Sequence, residues 1–466
     1  MEVDPGCEAR FESYIARLTE AVGHADRHEP LRAYCQGLVL PGDRKSVEPM
    51  AARIDPAHVS SRHQSMHHFV ADAGWSDGAV LREARLWALE AMETQGPLEA
   101  WIVDDTGFPK KGSHSVGVAH QYCGALGKTA NSQCAVSLSL SNRVASVPGA
   151  FRLYLPEAWA NDASRREKAG VPKEVAFQTK WEIALGLVDH LIEEGVQKAP
   201  ILADAGYGDA TAFREGLAQR GLVYIVGVGP NVSVWAQGQM PLPPKPRVVG
   251  KGRPATRLRR DEDHTPSSLR ELAKGLPPEA WQEIAWAEGT KGKLCSRFAA
   301  LRVRPAHRDH KRTEPRPEEW LLIEWPEGLE EPDHYWLSTE DPGLSVTNLV
   351  ARAKLRWRVE RDFQELKDEI GLDHYEGRGW RGFHHHASLC IATYAFIVAE
   401  RARLFPPSPC ALFGFAEPAV PDRPEGGPLP LRVERHNPAS IATQRIRLQR
   451  QILEGLPCCP GCRRTH

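Results

Sequence analysis

The stretch from Lys354 to Asp373, KLRWRVERDFQELKDEIGLD, constrains this chain more than any other. At the helical step of about 100° per residue, its apolar side chains share one narrow stripe. That stripe consists of Val359, Phe363, Leu366 and Ile370. The band beside it carries one carboxylate between two cations: Arg356, Glu360 and Lys367. The pattern predicts one helix that buries one face and holds Glu360 at the edge of a core. A helical Glu with basic neighbours is usually a solvated ion pair, so a functional interpretation depends on further acids.

Two further acids follow short apolar runs. Ala100–Val103 and Pro200–Ala203 are typical of buried strands, and they are followed by Asp104 and Asp204. Acids at the carboxyl ends of such strands lie where α/β sheets place their ligand sites. Two strand-end carboxylates and one helix carboxylate can hold two divalent metal ions, and hard oxygen ligands suit Mg²⁺ or Mn²⁺. Two such ions about 3.5–4 Å apart promote phosphoryl transfer.

Three sequence blocks in this order carry a family resemblance. They are VDDTGFPKKGSHSVGVAHQYCGALGKTANSQCAVSLSL (103–140), LADAGYGD (202–209) and RWRVERDFQELK (356–367). The chain resembles the DDE transposases of bacterial insertion sequences, in particular the insertion sequence 701 family within the insertion sequence 4-like grouping. The signature of that grouping is Tyr, two residues, Arg, three residues, Glu, six residues, Lys. Arg356, Glu360 and Lys367 keep this spacing, whereas Ala353 stands in place of the Tyr.

The resemblance implies a fold and a mechanism. The implied fold is α/β, with a ribonuclease H-like catalytic core, a β-rich insertion and a helical N-terminal domain. Asp104, Asp204 and Glu360 are implied ligands of two Mg²⁺ ions, for which Mn²⁺ can substitute. Asp104 is preferred to Asp105 because the family has Asp–x–Thr at this place. The implied chemistry is metal-dependent cleavage of the element's ends, followed by attack of the freed 3′-hydroxyl on target DNA. In that mechanism Arg356 and Lys367 hold flanking phosphates or orient Glu360.

The order of predicted elements divides the chain into five segments. Residues 1–95 are helical and, by the resemblance, bind the ends of the element; a plain helical cap is the alternative. Residues 96–229 form the first part of the catalytic domain, with strands at 100–104, 133–140, 150–155, 200–204 and 222–228 and helices at 179–195 and 210–220. Residues 230–340 are the β-rich insertion, with strand-like runs at 298–303, 320–325 and 335–338. Residues 341–404 complete the catalytic domain, and residues 405–466 form a Pro-rich and helical tail.

The distribution of charge matters more than its sum, because the formal net charge is only −1. Residues 245–260 contain basic side chains and no acid, and residues 352–361 contain Glu360 as their single acid. The Gly-rich segment after Asp105 is expected to lie against DNA phosphates, with a structural turn as the alternative. Its GALGKT run is not a phosphate loop, because that motif needs a Gly where Tyr122 stands. The predicted DNA contacts are Lys110, Lys111, His114, Lys251, Arg253, Arg257, Arg356, Arg358 and Lys367.

Three remaining features have weaker interpretations. Trp235 could stack on a displaced base, but such a Trp more often belongs to the core. His384, His385 and His386 point in different directions on a helix and cannot share one ion, so they are interpreted as a helix start near DNA. Cys459 and Cys462 form one C-x-x-C pair, which is half of a structural zinc site.

The sequence also bears on location and partners. Ten scattered cysteines, no apolar run of transmembrane length and an acidic start without a signal core predict a cytoplasmic protein. The resemblance implies that it is bacterial and associated with the nucleoid. The expected partners are double-stranded terminal inverted repeats and target DNA, with a homodimer assembled on the DNA and no membrane. Two alternatives stay open. One is a ribonuclease H-like nuclease that cuts without joining, and the other is a catalytically idle, domesticated DNA-binding or regulatory protein.

Overall fold

The computed structural model describes residues 6–246, 255–289, 292–405 and 437–457, and excludes the side chains of 287–289 and 292–293. The chain forms two compact units. Unit 1 comprises Met1–Leu98, Asp105–Gln178 and Val359–His466, and unit 2 comprises Glu99–Asp104 and Thr179–Arg358. None of the helices within the described ranges is long and apolar enough to cross a membrane.

The helices are, in chain order, α1 (Gly6–Val22), α2 (His28–Val39), α3 (Val47–Ile54), α4 (Val59–Ala71), α5 (Asp77–Met92), α6 (Glu157–Ala160), α7 (Ala163–Lys168), α8 (Lys180–Glu193), α9 (Ala205–Gly208), α10 (Thr211–Gln219), α11 (Leu269–Lys274), α12 (Val346–Lys354), α13 (Trp357–Glu365), α14 (Trp380–Leu404) and α15 (Ile441–Glu454). A π-helical turn, Leu366–Ile370, follows α13.

The strands are β1 (Ala100–Pro109), β2 (Ala119–Cys123), β3 (Lys128–Ser141), β4 (Ser146–Leu153), β5 (Ile201–Ala203), β6 (Tyr224–Val228), β7 (Ser233–Trp235), β8 (Ser267–Ser268), β9 (Gln282–Gly289), β10 (Gly292–Pro305), β11 (Glu319–Trp325) and β12 (His334–Ser338). The first half of β1 belongs to unit 2 and its second half to unit 1.

Unit 1 is organised around α14, which is buried along most of its length. The ring of Phe396 lies 5.2 Å from Phe11 and 5.5 Å from Tyr14, both on α1. The hydroxyl of Tyr14 donates to the carbonyl oxygen of Ala392 at 2.8 Å. In the same unit, β2 and β4 both pair with β3, and β3 neighbours β1. The N-terminal helices therefore share one core with α14, because apolar side chains at helical spacing pack on both sides.

Unit 2 contains the parallel part of the sheet. β1 pairs in parallel with β5 (Trp101 with Ile201), and β5 pairs in parallel with β6 (Leu202 with Ile225). An antiparallel series, β6–β12–β11–β10, continues from there, and β9 and β7 both pair with β10. The predicted strand runs 298–303, 320–325 and 335–338 lie within β10, β11 and β12 and are confirmed.

The strand orders β4–β3–β1 in unit 1 and β1–β5–β6 in unit 2 are those of a ribonuclease H-like core. The predicted α/β class is therefore confirmed. β1 is longer than its predicted extent of 100–104, because its second half neighbours β3 within unit 1.

Residues 354–373 do not form the single helix that was predicted for them. α12 ends at Lys354, α13 begins at Trp357, and backbone bonds three residues apart tighten the chain between them, including Arg356 N–H to Ala353 O at 3.4 Å. Such short-range bonds replace the α-helical ladder at a helix boundary. The predicted apolar stripe is nevertheless correct, because all four of its side chains are buried: Val359, Phe363, Leu366 and Ile370.

The three consecutive histidines correct a second prediction. They lie in the first turns of α14 as expected, but all three are buried and so are not available for contact with DNA at the surface. The ring of His385 stacks on Trp75 at 3.5 Å, and its nitrogens lie 2.9 Å from Val70 O and 3.0 Å from Trp75 O. Burial lowers the pKa of His385 and of His386 to about 4. His385 thus docks α14 on α4, and His386 lies 2.8 Å from the hydroxyl of Tyr34 on α2, whereas His384 Nε2 accepts the N–H of Leu153 in β4 at 3.3 Å.

Trp235 is wholly buried, so the core interpretation is confirmed. Its Nε1–H donates to Asp309 Oδ2 at 2.8 Å. The C-x-x-C pair, Cys459 and Cys462, lies outside the described residues.

A buried carboxyl group anchors α13. The hydroxyl of Tyr394 on α14 lies 3.0 Å from Asp362 Oδ1 and 2.9 Å from Glu365 Oε2. Burial raises the pKa of Asp362 to about 6. Folded protein therefore keeps a proton on Asp362 at pH values where the unfolded chain has released it. The free energy of unfolding consequently falls as pH rises from about 4 to about 6.

We predict that Asp362→Asn removes this pH dependence, because an amide is neutral at every pH. Between pH 4 and pH 7 the stability of the variant relative to wild type should rise by about 2.4 kcal/mol. Urea unfolding of both proteins at unit pH intervals measures the difference and cancels the titration of the buried histidines. Asp368→Asn changes an exposed position of the same segment, and its free energy of unfolding should depend on pH as that of wild type does. If the free energy of unfolding of Asp362→Asn had the same pH dependence as that of wild type, Asp362 would not be the source of the pH dependence.

Candidate active site

Two carboxylates emerge at the ends of neighbouring parallel strands in unit 2. Trp101 pairs with Ile201 and Ile102 with Leu202, so Asp104 and Asp204 each stand two residues beyond the last paired position. Parallel neighbours lie about 4.8 Å apart, which brings both residues to the same edge of the sheet. The apolar residues before them are buried, whereas both acids are half-buried. Asp105 points to the opposite face of the strand because side chains alternate.

The turn after β5 holds Asp204 in place. Asp204 caps α9, with Oδ1 accepting the N–H of Tyr207 at 3.3 Å. Two glycines let this short helix lie directly on β6. A Cβ at Gly208 would stand 1.9 Å from Gly227 O, and one at Gly227 would stand 2.9 Å from Ala205 N. Any side chain at either position would push α9, and with it Asp204, away from the strand.

Asp104 has a cationic partner within unit 2. Nη1 of Arg356 donates to Asp104 Oδ2 at 2.9 Å, and both side chains are largely shielded from solvent. Charge-assisted bonds of this kind are stronger than neutral ones and orient both groups. Arg356 therefore neutralises one carboxylate and fixes its direction.

The donor set fits a hard divalent cation. Asp104 and Asp204 offer carboxylate oxygens, which Mg²⁺ and Mn²⁺ prefer. In the part of the chain that the structure describes, no group of three or more His, Cys, Asp or Glu side chains is arranged to hold a metal ion. What this structure presents is a carboxylate pair with Arg356 on one oxygen, so a cation would compete with the guanidinium for Oδ2 of Asp104.

Glu360 belongs to unit 1, on the exposed side of α13. Val359 and Phe363 on the same helix are buried, and the Asp362–Tyr394 contact fixes the helix to α14. The burial of this stripe leaves Glu360 on the outer face, as its position in the pattern requires.

Lys367 lies in the π-helical turn and is tied to β1 within unit 1. Its Nζ donates to Gly107 O at 3.1 Å and stands 5.4 Å from the centre of the Phe108 ring. Burial lowers its pKa. The cation therefore joins the end of the Glu360-bearing segment to the second half of β1.

The predicted DNA contacts differ in their exposure to solvent. Lys111, His114 and Arg257 are exposed, and Arg358 is half-buried. Lys110 is half-buried, because its Nζ donates to Tyr375 O at 2.7 Å, and burial lowers its pKa. Lys251 and Arg253 lie outside the described residues.

Sequence reasoning missed two supports of the site. Asn131 holds the segment after β1, since its Nδ2 donates to Lys110 O and to Gly112 O, both at 2.8 Å. Tyr394 anchors α13 from a helix remote in sequence. Both are polar residues within otherwise ordinary elements, and no spacing pattern marks them.

Comparison with known proteins identifies the family. Residues 17–293 match the family model described as DDE superfamily endonuclease; the match includes Asp104 and Asp204 and ends before Glu360. A probable transposase for insertion sequence element IS701 from Microchaete diplosiphon is 34% identical over 169 residues, which are 36% of this chain and 41% of that protein. The aligned part thus spans less than half of that relative. The resemblance drawn from the three sequence blocks is confirmed, and because the family model covers more than half of the chain, this protein belongs to the DDE superfamily endonucleases.

Proposed function

We propose that this protein is an insertion-sequence transposase that cuts the ends of its element and joins them to target DNA. The observation that carries the proposal is the pair Asp104 and Asp204, at equivalent positions of neighbouring parallel strands. A strand-end pair of carboxylates in a member of this family favours metal-dependent phosphoryl transfer over a purely structural role.

Asp104, Asp204 and Glu360 are the proposed ligands of two divalent ions, Mg²⁺ with Mn²⁺ as a substitute. Bound there, the ions would supply Lewis-acid activation of the attacking hydroxyl and stabilisation of the leaving oxygen. The half-buried pair and the outward position of Glu360 on an anchored helix support this assignment. Water and then the DNA 3′-hydroxyl are the nucleophiles, so the chain needs no Ser, Tyr or Cys nucleophile.

The basic side chains have positioning roles. Arg356 orients Asp104 through the 2.9 Å bond and holds a flanking phosphate when a cation takes its place on Oδ2. Lys367 keeps the end of the Glu360 segment on β1 through Gly107 O. Lys110, Lys111, His114, Lys251, Arg253, Arg257 and Arg358 are the further proposed contacts with the DNA backbone.

The proposed partners follow from the reaction. Two element ends must be cut together, so we propose a homodimer on DNA, with the helical segment 1–95 binding the terminal inverted repeats. The same proposal places the protein in the bacterial cytoplasm, associated with the nucleoid. The alternative of an idle DNA-binding protein is disfavoured because all three acids are present.

We expect Glu360→Gln to lose cleavage and to keep DNA binding. Replacing a charged ligand by an amide should reduce the rate at least about 1,000-fold, while the contacts with DNA phosphates are untouched. The substrate is DNA carrying the flanking ends of the gene's own locus, incubated with Mg²⁺ or with EDTA; a mobility shift measures binding. Asp368→Asn, an exposed acid nearby, is the control and should cleave normally. Undiminished cleavage by Glu360→Gln would refute the assignment.

The two adjacent acids of β1 provide a sharper comparison. We expect Asp104→Asn to be inactive, since Asp104 faces the same edge as Asp204, and Asp105→Asn to remain active within about threefold. The same cleavage assay measures both variants. Activity of Asp104→Asn together with inactivity of Asp105→Asn would exchange the two roles.

A strand-transfer assay separates transposition from cleavage alone. Pre-cleaved end DNA with a free 3′-hydroxyl, mixed with plasmid and Mg²⁺, should give a joined product. Cleavage without any joined product would support the nuclease that cuts and does not join. Binding without cleavage in any metal would support the idle DNA-binding protein.

A further inference from the structure

The Gly-rich segment after Asp105 contains a defined β-hairpin in unit 1. β2 and β3 pair from Ala119 with Ser132 to Cys123 with Lys128, and the turn Gly124–Gly127 closes between them. Gly127 has a φ of 62°, a left-handed conformation that glycine adopts without strain. The alternative of a structural turn thus describes residues 124–127, and contact of this segment with DNA phosphates stays a prediction.

The two faces of β2 differ sharply. Cys123 is buried against β1, where a Cβ at Gly107 would stand 2.9 Å from its Sγ. Tyr122 points the opposite way and is 67% exposed, more than any other large apolar side chain in the described part of the chain. Leu126 in the turn is 46% exposed. The hairpin thus carries an exposed aromatic ring and an exposed aliphatic side chain four residues apart.

The hairpin stands beside residues of the candidate site. Gly107, which receives Cys123, is the residue whose carbonyl oxygen binds Lys367. The tip is therefore next to the cationic end of the Glu360-bearing segment, within unit 1.

Charge indicates the partner. From Thr106 to Pro156 the sequence has five Lys or Arg and no Asp or Glu. His120 lies two residues before Tyr122 on the same face of β2, Lys128 begins β3 at the turn, and both are solvent-exposed. Exposed apolar tips beside a cation suit a polyanion with stacked bases, and proteins that kink DNA insert such apolar wedges between base steps. A second copy packed hairpin to hairpin would present the same Lys and Arg side chains and no acid from this segment.

We propose that the β2–β3 turn enters duplex DNA near the cleavage point, with Tyr122 and Leu126 against an unstacked base step and Lys128 on a neighbouring phosphate. This inference rests on the proposed function. It assigns the hairpin a separate task, which is to distort the duplex so that the scissile strand can reach the carboxylates. The ring of Tyr122 would stack on the exposed base, and such stacking does not depend on which base it is.

The test uses the full chain and duplexes of the locus end with 2-aminopurine at successive positions, in EDTA so that no cutting occurs. Wild type should raise the fluorescence at one or two adjacent steps, because an unstacked 2-aminopurine is brighter. Tyr122→Ala should lose that rise and bind roughly 5- to 100-fold more weakly, with the same salt dependence as wild type. Tyr122→Phe should behave as wild type. A mismatch at the responsive step should restore binding by Tyr122→Ala, since the duplex is then already distorted.

Two controls separate the ring from the charge. Lys128→Ala should keep the fluorescence rise and reduce the slope of log affinity against log salt by about one, the value for one lost phosphate contact. Phe177→Ala removes an exposed ring of unit 1 outside the hairpin and should change neither measurement.

The outcomes distinguish this inference from the proposed function. Wild type that cuts the duplex with Mg²⁺, combined with Tyr122→Ala that matches it in fluorescence and affinity, overturns the hairpin role alone. Wild type that neither binds nor cuts overturns the proposed function. A change in the DNA-free sedimentation of Tyr122→Ala, without loss of the fluorescence rise, would make the hairpin a contact between copies and also overturn the inference.

Discussion

The backbone ladder of β1 is the constraint on which the rest of the structure depends. Its first half pairs with β5 inside unit 2, and its second half neighbours β3 inside unit 1. Trp101, Ile102 and Val103 are wholly buried and Asp104 is not, so a shift of this strand by one residue would carry the Asp104 carboxylate into the apolar core. Because the register is set in this way, Asp104 and Asp204 come level at the end of the ladder. The position of the carboxylate pair is a consequence of apolar packing several residues away.

Several predicted functional cations are bonded within their own unit. Arg356 pairs with Asp104, and the break between α12 and α13 gives this Arg its place outside a regular helix. Lys367 and Lys110 are likewise bonded to carbonyl oxygens, of Gly107 and Tyr375, and are not left extended in solvent. Several of the predicted DNA contacts therefore have structural partners within the protein. Those that remain exposed, such as Lys111 and Lys128, are better placed for phosphates.

The helix that carries Glu360 depends on contacts from far along the chain. Tyr394 on α14 holds Asp362, and α14 is held in turn by α1 and by the buried histidines that meet α4. The N-terminal helices therefore bear on the Glu360-bearing helix through α14, within unit 1. This coupling gives residues 1–95 a structural role in addition to any contact with DNA.

Local patterns were sufficient for much of this protein. Apolar runs ending in acids predicted β1 and β5 with Asp104 and Asp204, helical spacing predicted the buried stripe of α13, and three ordered blocks identified the family. These features depend on neighbours in sequence, so the sequence determined them by itself. Tertiary structure decided what depends on distant partners. It decided that His384–His386 are buried, that Arg356 lies on Asp104, that Tyr394 anchors Asp362, and that Cys123 turns inward while Tyr122 stays in solvent. The physical reason is that burial and pairing of a polar or aromatic side chain depend on what packs against it, and that partner can be hundreds of residues away.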